Sequence, residues 1–241
     1  MEILNKDLRK KIIEKGCEFK LGHFGAALSC VDCISYLYDN VLTIQDIFIL
    51  SKGHGAPALY AKLEEMGKNV NWKEHPELDE KSGIYATTGS LGHGLPIAIG
   101  RAYAKRLKGD NGKVYVLLGD GEIQEGSNWE ALMIASKLKV DINVLIDWNK
   151  YSATDSIEST LCLDAKDLSR KLTAFGCNTY IINGHDEKEL EKLKELGEGL
   201  NAVILDTIKG KGVRLLEQSH DHVYYWHLNP EEYKKALEDL I

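Results

Sequence analysis

Proline is scarce in this sequence, 4 residues in 241, and the 22 glycines follow no G-x-y period. The first excludes a proline-rich linker or polyproline protein, the second a collagen-like chain. Long hydrophobic runs are missing as well. The longest, such as Val114 to Leu118, are far too short to span a bilayer, and the charged start through Lys10 and Lys11 has no apolar signal-peptide core. These absences set the expectation of a cytoplasmic protein with no membrane partner. Basic residues are not in excess: 30 Lys+Arg against 37 Asp+Glu give a formal net charge of −7. That balance, with no block of like charge, argues against nonspecific nucleic-acid binding, which needs a basic face. The cysteines (Cys17, Cys30, Cys33, Cys162, Cys177) are odd in number and irregular in spacing, so they form no disulfide framework. Cys30 and Cys33 make a C-x-x-C that could be redox-active or half a zinc site. No second pair follows, however, and the pattern Val31, Ile34, Leu37, Tyr38 around it is helical, which makes two buried free thiols the simpler reading.

What is present is a globular composition, 44% hydrophobic and 28% charged, able to bury a full core. At roughly 150 residues per domain, with no low-complexity linker, one domain over residues 1–241 is expected. Leu4, Leu8, Ile12 and Ile13 mark a first helix, stopping near Gly16 or at the Gly22–Gly25 turn, and Ser29 to Asn40 a second. Ile47 to Leu50 reads as a short strand and Pro57 to Met66 as a helix ended by Gly67. Lys68 to Thr88 is polar and aperiodic, and reads as a surface loop. Helices follow over Gly94–Leu107, Glu122–Leu138, Ala165–Phe175 and Glu187–Leu196. Strands are expected over Val114–Leu118, Ile142–Asp147, Asn178–Ile182 and Ala202–Asp206, and a closing helix from Pro230 with Asn229 as its cap. Strands alternating with helices predict an α/β fold in three layers, a mostly parallel sheet with helices on both faces. Ligands in such sheets sit at the carboxyl ends of strands, after Leu50, Leu118, Asp147 and Asp206.

The loop after Leu118 reads Gly119-Asp120-Gly121. Two glycines flanking an aspartate let the backbone approach a bulky anion while the carboxylate holds a metal, although the tripeptide alone is also a good turn. Asn149 follows Asp120 by 29 residues, one β-α-β unit later, which brings both strand ends together. A carboxylate, an amide oxygen and a backbone carbonyl are hard ligands suited to Mg²⁺ beside a diphosphate.

These residues resemble the thiamine-diphosphate motif, and their surroundings resemble the transketolase family. Gly22-His23-Phe24-Gly25 is similar to its Gly-His-Pro-Gly, Leu50-Ser51-Lys52-Gly53-His54 to its Leu-Ser-x-Gly-His, and Thr88-Gly89-Ser90-Leu91-Gly92-His93-Gly94 to its Thr-Gly-x-Leu-Gly-Gln-Gly. Asp206 to Gly212, followed by Trp226-His227, is similar to its Thr-x-Lys-Gly-x-Gly and downstream histidine. The resemblance implies that Asp120, Asn149 and the carbonyl of Tyr151 ligate Mg²⁺ (or Ca²⁺ or Mn²⁺). It further implies that His54, Gly89, Leu91, Gly119 and Gly121 line thiamine diphosphate, and that His23, His75 and His227 face the sugar. Glu125 takes the place of a carboxylate linking two active sites at a dimer interface; a plain helix-start glutamate explains it as well. His185 and Asp186 match a turn of mainly structural meaning, Asp186 capping the next helix. A metal site at His220, His222 and His227 carries little weight because the spacing is irregular. Phe24, Lys150 and His93 depart from the usual proline, glycine and glutamine, which leaves open the shape of two turns and favours a specialised sugar.

The resemblance covers the whole chain, yet it corresponds to the diphosphate-binding domain alone. It therefore implies a transketolase subunit that transfers a two-carbon ketol unit from a ketose or ketose phosphate to an aldose only with a C-terminal partner subunit, in an α2β2 complex. Alternatives are a noncatalytic module that retains the clamp, and a 2-oxo-acid dehydrogenase α subunit, which Leu50–Gly55 and Trp226-His227 do not fit.

Overall fold

Val114–Gly119 (β2) and Ile142–Trp148 (β3) are buried along their whole length, as strands covered on both faces must be. With Ile47–Leu50 (β1), Asn178–Asn183 (β4) and Leu200–Asp206 (β5) they form a sheet in the order β1-β2-β3-β5-β4, every pairing parallel. The computed structural model describes residues 3–153, 155–161, 163–219 and 224–241.

The sheet separates two cores. Phe48, Leu50, Tyr115, Leu117, Leu145, Val203 and Leu205 point to one face, against helices Lys6–Glu18 (α1), Phe24–Asn40 (α2) and Ala56–Glu65 (α3). Their neighbours Ile49, Val116, Leu118, Val144, Ile146 and Ile204 point to the other face. There they meet Gly94–Lys108 (α4), Gly126–Leu138 (α5) and Ala165–Ala174 (α7). Period-2 alternation inside an uninterrupted apolar run feeds both layers at once. Short helices Ile157–Leu161 (α6), Glu187–Leu190 (α8) and Arg214–Gln218 (α9) and the closing Pro230–Glu238 (α10) complete the order. Among the described residues no helix is long and apolar enough to cross a membrane.

Several expectations need correction. Helix α2 begins at Phe24, not Ser29, because its first turn is buried on all sides and so shows no periodicity. The helix expected over Glu122–Leu138 is a 3₁₀ turn at Glu122–Gln124, an extended Glu125, and then α5. The side chain of Glu122 accepts hydrogen bonds from Ser51, Gly92 and Gly119, which holds this turn against the strand ends. Residues 68–88 are irregular but not a surface loop: Trp72, Ile84 and Ala86 are buried, and Trp72 packs between Phe19 and Tyr60. Glu187–Leu196 divides into α8 and a 3₁₀ turn. Helices α6 and α9 were not anticipated. Asn229 caps α10 in a capping box with Glu232, and Asp186 caps α8, both as the sequence implied.

Candidate cofactor site and its histidine wall

The carboxyl ends of β1, β2, β3 and β5 meet around one buried carboxylate. Asp147, at the end of β3, accepts hydrogen bonds from the Ser29 and Thr207 hydroxyls at 2.5 Å each, from Asn149 Nδ2 at 3.0 Å, and from the Lys52 ammonium. Both members of the Lys52–Asp147 pair are fully buried. Burial alone would lower the lysine and raise the aspartate. Their mutual attraction and the hydrogen bonds outweigh it, so Lys52 titrates above the ordinary lysine range and Asp147 below the ordinary carboxylate range. Four segments distant in sequence are thereby tied to one point.

That anchor orients Asn149. With Nδ2 committed to Asp147, the amide oxygen turns the other way and accepts from the Tyr151 N–H at 3.2 Å. Beside it, Asp120 accepts the Gly121 N–H at 2.8 Å and the Lys150 N–H at 2.5 Å. Asp120 is 2% exposed, and burial together with the nearby Asp147 charge pushes its carboxyl up to about 7. A buried carboxylate held only by backbone amides invites a countercharge. Among the described residues no group of three or more His, Cys, Asp or Glu is placed to hold a metal ion, so a cation here would be held by one carboxylate, amide and carbonyl oxygens, and oxygens of a bound ligand. Such a set suits a hard ion and not zinc. Lys209, mostly buried with its ammonium 5.8 Å from the Tyr151 ring centre, is pulled down to about 8 by burial, and an anion in the cleft would favour its charged form. The residues present therefore fit an Mg²⁺–diphosphate group.

Lys150 adopts φ 75°, the left-handed conformation natural to glycine. Phe24 opens α2, a position where proline is equally at home, and its ring lies against Gly16. His93 is the exposed N-cap residue of α4 and makes no side-chain cap.

The narrow cleft beside Asp120 measures about 40 Å³, and Ala26, His54, Leu91, Gly119, Asn149 and Tyr151 are among its lining residues. Next to His54, the His23 ring lies 5.8 Å from both His54 and His75, and 4.9 Å from Tyr225, which is 4.9 Å from His227. The four histidines thus form one aromatic wall. Burial lowers His23 and carries His54 well below the usual histidine range. Gly89, at φ 134°, lies so close to the His75 ring that a Cβ would come within 2.8 Å of it. Glu125 stands apart, exposed at the N-cap of α5 and packed on Gly92. His220, His222 and Cys162 lie outside the described residues. Cys30 and Cys33 are buried free thiols on α2, raised by burial, Cys30 to about 12, which fits the apolar reading and not redox chemistry.

Sequence reasoning assigned no role to Lys52, Asp147, Ser29 or Thr207, nor to Lys209 and Glu122. The available signal was Asp147 itself, an acid continuing the apolar run Val144–Ile146. A second network was equally hidden. The Ile208 N–H donates to His185 Nε2 at 2.9 Å, which leaves Nδ1 to donate to Asp32 at 2.8 Å. Asp32 also pairs with Arg9, whose guanidinium reaches the carbonyls of Leu28 and Lys211. The segment after β5, which carries Lys209, is held through it to α1 and α2.

The parallel α/β sheet thus brings oxygen donors at adjacent strand ends next to a group of histidine rings. Comparison with known proteins identifies the lineage: the chain belongs to the family "Transketolase, thiamine diphosphate binding domain", which it matches over residues 6–224. It is 35% identical to an apulose-4-phosphate transketolase subunit of Actinobacillus succinogenes, over 98% of this chain and 94% of that protein. It is 31% identical to a 6-deoxy-6-sulfo-D-fructose transketolase subunit of Clostridium sp., over 97% and 93%. The fold superposes on the transketolase of Leishmania mexicana with a TM-score of 0.85 at 24% identity, covering 98% of this chain and 40% of that one. The chain thus spans the length of the named subunits and about two-fifths of the single-chain enzyme.

Proposed function

We propose that this chain is the diphosphate-binding subunit of a two-chain transketolase, which moves a two-carbon ketol unit from a ketose to an aldose with Mg²⁺ and thiamine diphosphate. One juxtaposition carries the reading: Asp120 and Asn149 offer hard oxygen ligands on the same strand edge where His23, His54 and His75 form a wall. Asp120, Asn149 and the Tyr151 carbonyl would hold the cation; Gly119, Gly121, Gly89, Leu91, His54 and Lys209 would receive the cofactor. Thiamine diphosphate, when bound, supplies the electron sink for carbanion chemistry at the donor carbonyl carbon. The protein's part is to position: His23, His75 and His227 donate to sugar hydroxyls and to the oxygen on which charge develops. Glu125, exposed at the N-cap of α5, is available to a neighbouring copy of the chain. The cofactor site would be completed by a C-terminal partner subunit, giving an α2β2 enzyme. Because the two named relatives act on ketoses bearing a phosphate or sulfo group, the donor here is expected to be a ketose with a distal anion.

The decisive measurement is calorimetry of thiamine diphosphate binding to the assembled enzyme. Chelation of divalent ions, or Asp120→Ala, is expected to abolish binding, since the phosphates lose their countercharge. Equal affinity with and without EDTA would overturn the clamp.

A further inference from the structure

Glu74 precedes His75 on the segment between α3 and α4, beside the histidine wall and outside the cation clamp. Its Oε1 accepts a hydrogen bond from the Tyr225 hydroxyl at 2.7 Å. Its Oε2 is buried without a hydrogen-bond partner and lies 3.7 Å from Nε2 of His23. At the opposite edge of that ring, Nδ1 is 2.9 Å from the carbonyl oxygen of Tyr224. A carbonyl oxygen only accepts, so Nδ1 carries a proton. In the neutral ring Nε2 would then face the carboxylate with a lone pair, two acceptors opposed. The imidazolium presents an N–H there instead.

The surroundings of His23 hold it below the ordinary histidine range, burial first among them. Burial disfavours its charge, and so do His75 on the same segment as Glu74 and Lys209 from the strand end behind. His54 packs from the end of β1, and Tyr224 and Tyr225 stand edge-on to the ring. Against these, the Tyr224 carbonyl and Glu74 favour the charged ring, and Glu74 contributes the negative charge. Tyr225 fixes that carboxylate in place: its ring fills the space beside Gly22, where a Cβ would come within 2.7 Å of it, and the next residue, Trp226, donates its N–H to the Gly22 carbonyl.

We propose that Glu74, anchored by Tyr225, is a positioning residue that holds a proton on His23 Nε2 more firmly than the buried ring would hold it alone, so that this histidine can meet the sugar as a hydrogen-bond donor. The gap of 3.7 Å is longer than a hydrogen bond, so the N–H is not consumed by the carboxylate. A substrate hydroxyl entering there accepts from Nε2 and gives its own hydrogen to Oε2. The pairing is a property of this chain; its use on a sugar rests on the ketol-transfer reading above.

The two are tested separately. The isolated chain, labelled with ¹³C and ¹⁵N in histidine, is titrated by NMR as wild type, Glu74→Gln, Tyr225→Phe and Glu77→Gln. The His23 midpoint is expected to fall by about half a unit or more in Glu74→Gln, by less in Tyr225→Phe, and not at all in Glu77→Gln, whose carboxylate is exposed and paired with Lys73. A wild-type midpoint in folded Glu74→Gln overturns the proposal, and so does a His23 ring protonated at Nε2 alone in its neutral form. Tyr225→Phe keeps both titrating groups and supplies the reading if Glu74→Gln does not fold. In the two-chain enzyme, Glu74→Gln is expected to lower kcat/KM for the donor ketose and move the alkaline limb of its pH profile down by the same interval. A shifted midpoint with an unchanged profile overturns the sugar-facing role.

Discussion

Lys150 occupies a backbone conformation that L-residues avoid, and the reason lies in what its amide does. Its N–H donates to Asp120 Oδ2, so the turn that places this amide also aims the carboxylate into the cleft. The left-handed conformation costs a non-glycine residue about 1 kcal/mol, and more when the side chain is β-branched. Part of that is returned by the ion pair of Lys150 with Asp206, which is half exposed and worth little. Lys150→Gly is therefore expected to leave stability unchanged or raise it by up to about 1 kcal/mol, and Lys150→Val to lower it by roughly 1–2 kcal/mol. Urea unfolding measures both; the reverse order would show that the side chain, not the backbone, holds the turn.

Among the elements, the strand ends are organised by the Lys52–Asp147 pair. A charge buried with its partner is costly to orphan: Lys52→Met leaves Asp147 without its cation, and Asp147→Asn does the same to Lys52, each at about 3–5 kcal/mol. The double variant is expected to lose well under the sum, because neither charge is then stranded. Additive losses in denaturant titrations would mean that the two residues act separately. This pair also marks the limit of what the sequence discloses. The strands were legible because β2 is a short apolar run and β3 a mostly apolar one, and the order of segments placed Asp120 and Asn149 side by side. The histidine wall was legible only through motif resemblance, since nothing local distinguishes His23 from any other histidine. The Lys52–Asp147 pair was not legible at all: its members are 95 residues apart and only the folded sheet brings them together. Helix α2 was shortened and residues 68–88 were read as surface for one reason, that a segment buried on every side, or buried without regular structure, leaves no periodic trace.

At the scale of the whole molecule, the cleft beside Asp120 is narrow, about 40 Å³, and on the proposed reading it takes the diphosphate end of the cofactor alone. The purified chain is expected to show no ketol transfer, and mixing it with a subunit carrying the pyrimidine-binding domain is expected to restore turnover. A cofactor held between chains couples binding to assembly, so thiamine diphosphate with Mg²⁺ should tighten the complex by mass action. A donor-cleavage assay on the chain alone, with size measured with and without partner and cofactor, checks this. Robust turnover by the lone chain would remove the need for a partner.

The alternation of β2 between two cores has a consequence for how such a sequence can change in length. Deleting one residue between Val114 and Leu118 would exchange every inward and outward side chain, so that Tyr115 and Leu117 would trade layers with Val116 and Leu118. It would also draw Asp120 back by one strand step, about 3.3 Å, and turn it to the other face of the sheet. Insertions and deletions are thus barred from the stretch leading into the clamp, while the exposed turn at residues 109–111 before it can absorb them. The number of residues from Val114 to Asp120 is as much a part of the site as the aspartate.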